Sequence, residues 1–214
     1  IFLGGSVANF QRGFDIINVP SVLTTLVTDE LDFPNLSMVG VDDRAAAYTA
    51  VDYLIRQGHR KIAVLGGPVT SYPSLMRRQG AQQAMEDAGI LFNDKLYGLS
   101  NYDFESAYHA MNSLLARRAE FTALFAMSDV IAFGAIRALV SAGLRVPEDV
   151  SVIGFDGITM SRYCVPVMTT IVQPSEQIAL QSIELLVRQI EHGSPAQTVT
   201  LQPELQQGES VRAI

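Results

Sequence analysis

From residue 38 to residue 155 the chain alternates short, mostly apolar runs with longer stretches of helical periodicity, and this alternation limits its fold more than any other feature. The runs fall at residues 38–41, 61–66, 95–99, 122–127 and 151–155. A strand with one face in water alternates apolar and polar residues, whereas a strand that is apolar throughout is buried on both faces. Such strands, separated by helices, form a parallel sheet covered on both sides and joined by right-handed crossovers.

The helical segments are bounded by recognisable signals. Ala46, Ala47, Ala50, Val51, Leu54 and Ile55 recur at helical spacing behind Asp42 and Asp43, and Gly58 ends the run. Helices are expected at residues 75–88, closed by Gly89, at 104–116, and at 129–142, closed by Gly143. Four strands joined by the last three helices make one doubly wound lobe. A further strand at 168–172, a helix at 176–192 stopped by Gly193, and a strand at 198–201 lead into a polar tail. Short apolar runs at 1–4 and 19–23 read as buried strands without complete βα partners, so they are expected in a second sheet whose first units are absent. The residues between those two runs are the least legible.

With 214 residues, the chain is long enough for two lobes of about 100 residues each. Its 48% hydrophobic residues against 17% charged supply enough apolar material for both cores and carry no signature of disorder. A net charge of −7 argues against this segment gripping a polyanion, because nucleic-acid binding needs clustered Lys and Arg. DNA, if a partner, is touched elsewhere. One cysteine, Cys164, offers neither a disulfide nor a metal cluster, and a reducing cytoplasm is the expected compartment. No run approaches the roughly 18 apolar residues of a membrane span, and no signal peptide opens the chain. Because Ile1 stands where a natural protein would carry Met, the sequence reads as a fragment that lacks its front.

In an open parallel sheet, ligands bind outside the carboxyl ends of the strands. The strand ending at Gly66 and Gly67 leads through Tyr72 to Arg77, and the strand ending at Leu99 leads to Asn101, Tyr102 and Asp103. The next two present Ser128 with Asp129, and Asp156 with Gly157. One rim therefore carries a bidentate donor, aromatic faces, small polar groups and a carboxylate. This set suits a neutral or anionic polyhydroxyl ligand, with a sugar the natural candidate. Taken singly, Asp129 and Asp156 read equally well as helix caps and Arg77 as a solvated helix charge. Their common edge favours a site.

The inventory for catalysis is thin. His59 and His192 lie at helix C-terminal ends, where a cation suits the dipole, and His109 lies on a helix face. No nucleophile stands beside them. Gly4-Gly5 and Gly66-Gly67 follow strands but belong to neither a dinucleotide nor a Walker fingerprint, so each reads as a tight turn. Cys164 beside Tyr163 reads as a packed thiol. No enzymatic activity, cofactor or metal is expected.

The sequence resembles the lactose/galactose repressor family between about residues 39 and 205. The resemblance is carried by VGVDDRAAAYTAVDYLIRQGHRKIAVLGGP, RRQG, TALFAMSDVIAFGAIRALVSAGLRVPEDVSVIGFDG, YCVPVMTTIVQP and LQPEL, with RVPEDVSVIGFD the most specific. It implies a periplasmic-binding-protein-like α/β fold of two doubly wound parallel-sheet lobes. Three crossovers would fall near residues 41–43, 172–174 and 195–198, with an effector in the cleft and a DNA-binding headpiece at the N-terminus. The expected lobes are residues 1–41 with 174–195, incomplete in this chain, and 42–172 with 196–214.

Carried over residue by residue, the family's effector contacts fall on Arg77, Tyr102, Asp156 and Gln173, beside Tyr72, Ser128 and Asp129 from the rim. The usual Asn-Asp after the third strand is Ser128-Asp129 here, which removes an amide that often bonds the effector. The tail reads ELQQGES where relatives place an arginine before Ser or Thr. The resemblance implies a cytoplasmic homodimeric transcription repressor that senses a sugar-like small molecule and reaches operator DNA through a headpiece outside this chain. A periplasmic sugar-binding protein of a transport system is the rival, since it shares the fold. A small Rossmann-type enzyme would need a glycine fingerprint or catalytic pair that the sequence lacks.

Overall fold

Each apolar run becomes a strand in a computed structural model that describes residues 1–214, and the strands sort into two sheets. In chain order the elements are β1 (Phe2–Leu3), α1 (Val7–Gly13), β2 (Ser21–Thr24), β3 (Leu36–Val41), α2 (Asp43–Arg56), β4 (Ile62–Gly66) and α3 (Tyr72–Asp87). They continue as β5 (Tyr97–Leu99), α4 (Phe104–Ala116), β6 (Ala123–Ala126), α5 (Asp129–Ser141), β7 (Ser151–Asp156) and β8 (Thr169–Val172). The chain closes with α6 (Ser175–His192), β9 (Thr198–Leu201) and β10 (Glu204–Gln206). It divides into two units, the first of residues 1–42, 70–73 and 173–203, the second of 43–69, 74–172 and 204–214.

The first unit holds a parallel sheet in the order β1-β2-β3-β9. α6 lays Ile178 and Leu185 on Val22, Val39 and Val41 of this sheet. Its buried Gln189 accepts a hydrogen bond from Ser37 Oγ (3.0 Å), which in turn accepts from the Gln197 backbone (3.0 Å), tying helix and β9 to β3. Gly193 ends α6 in the left-handed conformation expected of a C-terminal glycine, at φ 61°.

Two features differ from expectation. The sequence predicts early strands without helical partners, yet α1 and a 3-10 turn at Phe14–Ile16 join β1 to β2. Phe14 anchors that connection in a cluster with Leu23, Leu26 and Met38. The seven-residue helix buries only Val7 and so leaves no readable periodicity. The expected boundary gives residues 196–203 to the second lobe, but β9 pairs with β3 from Met38↔Thr198 to Val41↔Leu201, and the chain joins the second unit only at residue 204.

The second unit carries a six-stranded sheet, β10-β8-β7-β6-β4-β5, parallel except for β10, which pairs antiparallel with β8 from the supposed polar tail. Phe125, Phe155, Leu65 and Met127 lie fully buried in its core. From β4 the chain runs outward to β5 and then back past β4 to β6. That reversal is the topological switch point, where adjacent loops leave in opposite directions and open a crevice at the carboxyl ends.

Candidate effector site

Glycine decides where Arg77 sits. A side chain on Gly80 would collide with the Arg44 carbonyl, so its absence lets α3 press against the first turn of α2. Arg77, one turn before Gly80 and on the same face, is thereby brought to Asp43, the residue before Arg44. Its Nε donates to Asp43 Oδ1 at 2.7 Å, and both side chains are under a tenth exposed. Nη1 donates to the Met127 carbonyl, which places the guanidinium at the carboxyl end of β6 beside the switch point. Nη1 also lies 3.6 Å from Asp156 Oδ1, and Cζ stands 3.6 Å over the Phe155 ring. Burial opposes the arginine's charge, but Asp43 and then Asp156 more than offset it, holding the guanidinium above its ordinary pKa. It is a fixed cationic fork and not a solvated helix charge.

Two other rim residues occupy strained backbone. Tyr102 has φ 60° and Asp156 has φ 109°, a region that L-residues rarely adopt and that concentrates at ligand sites. The Tyr102 ring lies on Gly67, where any side chain would overlap it; Gly67 thus serves close approach, not the tight turn expected. The Tyr102 hydroxyl is buried without a hydrogen-bond partner.

Ser128 and Asp129 are both buried. Ser128 Oγ accepts from the Ile131 N–H at 3.1 Å, so the residue standing where the family has Asn is the N-cap of α5. Asp129 is fully buried, with Oδ1 accepting from Thr170 Oγ1 (2.6 Å) and Oδ2 from the Ile158 N–H (2.8 Å). Burial, with help from Asp156, raises its pKa to about 6 even though both hydrogen bonds favour the carboxylate. The residue ties α5 to β8 and to the loop after β7. Asp103 caps α4 through Ser106, while Tyr72 and Gln173 fall in the first unit, both partly buried.

Sequence reading missed Asp43, Phe155, Thr170 and the Met127 carbonyl as members of this cluster. Asp43 is visible there only as an acid opening a helix, and nothing in a single sequence pairs it with a residue 34 positions away. His59, expected as a helix-end cation, is a buried neutral ring. Thr122 Oγ1 stands 2.9 Å from Nδ1, the Arg212 carbonyl stands 3.1 Å from Nε2, and burial lowers the pKa. Cys164 is half-buried with its thiol on the Ser161 and Pro166 carbonyls, and burial raises its pKa. No group of three or more His, Cys, Asp or Glu is placed to hold a metal, and no helix is long and apolar enough to cross a membrane.

The two parallel sheets, with a polar cluster at the switch point of the larger, fit the periplasmic-binding-protein-like class. Residues 51–211 match the family model of periplasmic binding protein-like domains. The chain belongs to that family, and within it to the LacI family of transcription regulators. It is 37% identical over 212 residues to the HTH-type transcriptional regulator MalR of Clostridium butyricum, covering 98% of this chain and 63% of that protein. Among solved structures it is similar to the complex of the transcriptional regulator CelR with cellobiose, at TM-score 0.89 and 30% identity over 98% of this chain and 64% of that one. It is also similar to a sugar-binding LacI-family regulator from Escherichia coli complexed with phosphate, at TM-score 0.83 and 31% identity over 98% of this chain and 74% of that one. The chain spans half to under two thirds of the curated relatives it matches first.

Proposed function

We propose that this chain is the effector-sensing part of a LacI-type transcription repressor, and that its effector, a sugar or sugar derivative, binds at the carboxyl-end rim of the six-stranded sheet. The observation that carries this reading is the Arg77 guanidinium, held by Asp43 and the Met127 carbonyl at the switch point with Asp156 beside it. Asp156 accepts from ligand hydroxyls, Arg77 donates to ligand oxygens, and Tyr102 supplies a ring face and a hydroxyl that lacks a partner. Asp129 acts from behind by holding the loop that carries Asp156 and Ile158. The cellobiose in the CelR structure supports a sugar as the ligand class.

In the whole protein the effector favours one of two conformations and so changes the affinity of a homodimer for operator DNA, which is contacted by a headpiece outside this chain. The net charge of −7 fits a sensing part that leaves DNA to another part. Such a regulator works in the cytoplasm and carries out no catalysis of its own.

The test is thermal denaturation against monosaccharides, disaccharides, sugar phosphates and purines. A ligand at 100 times its dissociation constant adds about 2.7 kcal/mol. The expected result is a rise in melting temperature that disappears in Arg77→Ala and Asp156→Ala. A rise that survives both substitutions would place the effector elsewhere.

A further inference from the structure

We infer that the rim accepts an uncharged, hydroxyl-rich effector and excludes phosphorylated or carboxylated ones. The inference rests on the reading of this rim as the effector site and is carried by its charges. Arg77 is the cation there, and it already faces two carboxylates, Asp43 at 2.7 Å and Asp156 at 3.6 Å, with the Asp129 carboxyl behind them on α5. The neighbouring basic side chains are turned to other work. Arg78 lies over Tyr97 and Phe92 and reaches Asp94, and Arg44 bonds Gln83. An arriving anion would meet more negative than positive charge, beside an Arg77–Asp43 pair that is itself shielded from water.

The backbone leads to the same conclusion. Phosphate is usually seated by free N–H groups at helix N-termini and in the turns after strands. Here one such donor at each of four turns is taken by the chain's own side chains. After β4 the Gly67 N–H bonds Ser74 Oγ (3.0 Å), and at the start of α4 the Ser106 N–H bonds Asp103 (2.7 Å). At the start of α5 the Ile131 N–H bonds Ser128 Oγ (3.1 Å), and after β7 the Ile158 N–H bonds Asp129 (2.8 Å). Two of the four acceptors are themselves aspartates, which place negative charge where a phosphate would need positive. A neutral polyol asks for none of these N–H groups. It offers O–H donors to Asp156 and oxygen acceptors to Arg77, and it can partner the buried Tyr102 hydroxyl.

The inference is tested with inorganic phosphate and with matched pairs, glucose with glucose 6-phosphate and ribose with ribose 5-phosphate. Binding is followed by phosphorus NMR and by calorimetry on the wild-type chain and on Arg77→Ala and Asp156→Asn. Asn tolerates the positive φ of residue 156, and an unchanged melting temperature would confirm that Asp156→Asn folds. The wild-type chain should bind each phosphate at least tenfold more weakly than a parent sugar or not at all, and Asp156→Asn should gain at least tenfold in affinity for phosphate. Phosphate binding to the wild type that Arg77→Ala abolishes would overturn the inference and leave the effector site standing. An Asp156→Asn chain that still excludes phosphate would also overturn it, because the carboxylate would not be what repels. Sugar binding indifferent to Arg77→Ala would overturn the effector site along with it.

Discussion

Asp43 Oδ1 accepts from Arg77 Nε at 2.7 Å with both side chains shielded from water, so the first residue of α2 fixes the orientation of the arginine at the switch point. Removing one partner of a buried pair strands the other charge. Asp43→Ala should therefore cost about 3–5 kcal/mol of unfolding free energy, measured by urea denaturation. A loss below about 1 kcal/mol would be the value of a solvated pair and would mean that the guanidinium relaxes to water.

Gly80→Ala should disturb the same pair from a distance. The added methyl meets the Arg44 carbonyl, and relieving that overlap must move α3 away from α2. The cost of overpacking is about 1–3 kcal/mol, and sugar affinity should fall with it because Arg77 moves too. A variant as stable as wild type with unaltered sugar binding would show that the helix contact does not position Arg77.

The stability of the second unit should carry an acid-side slope from Asp129. Its folded pKa, about 6, lies above the unfolded value of 3.8, chiefly because the carboxyl is buried. Between these values the folded state binds more protons, so this group's contribution to stability falls as pH rises from about 4 to about 6 and stays lowered above that range. The full effect is at most about 3 kcal/mol, because a tenfold change in acidity between the folded and unfolded states corresponds to about 1.36 kcal/mol. Subtracting the pH profile of Asp129→Asn from that of wild type should isolate the slope. A difference that is flat from about pH 4 to about pH 6 would mean that the carboxyl is not desolvated as its surroundings require.

His59 should act with the opposite sign. Burial lowers its folded pKa below the unfolded 6.5, so its contribution is full above 6.5 and is lost as pH falls below that value. His59→Ala also removes the link to the Arg212 carbonyl and the partner of Thr122. Faster amide exchange at residues 211–214 is expected, and protection equal to wild type would show that other bonds hold the tail.

The tail illustrates how a missing motif residue can be replaced. Glu209-Ser210 stands where relatives place an arginine before Ser or Thr, yet Ser210 is fully buried. Its Oγ donates to the Val152 carbonyl (2.6 Å) and accepts from the Thr169 N–H (2.8 Å), and Glu209 accepts from the Val167 N–H (3.2 Å). Ser210→Ala should leave a buried N–H and carbonyl unpaired and cost about 1–3 kcal/mol by chemical denaturation. A change under about half of the lower figure would mean that water replaces the hydroxyl.

What the sequence determined by itself was the order and type of the elements wherever a period was long enough to read. The apolar runs of β4, β6 and β7 and the helices between them, two of them closed by glycine, announce a doubly wound sheet, because local sterics and burial on both faces act within a few residues of each other. Motif order also put Arg77, Tyr102 and Asp156 on one rim, since strand ends in such a sheet share an edge. Elements with short or half-exposed patterns stayed hidden. These were α1, which buries one residue, β10, which reads as a polar tail, and the membership of β9, whose alternation of exposed and half-buried residues fits either sheet. Tertiary structure alone decided which polar groups are spent on the fold and which pairs form at the switch point. Asp129 and Ser128 look like site residues in the sequence but hold Thr170, Ile158 and Ile131, while Asp43, an unremarked helix opener, fixes Arg77. The physical reason is that hydrogen bonds and ion pairs act over about 3 Å of space with no regard to separation along the chain, and only packing, here the approach of two helices at Gly80, brings such partners within that reach.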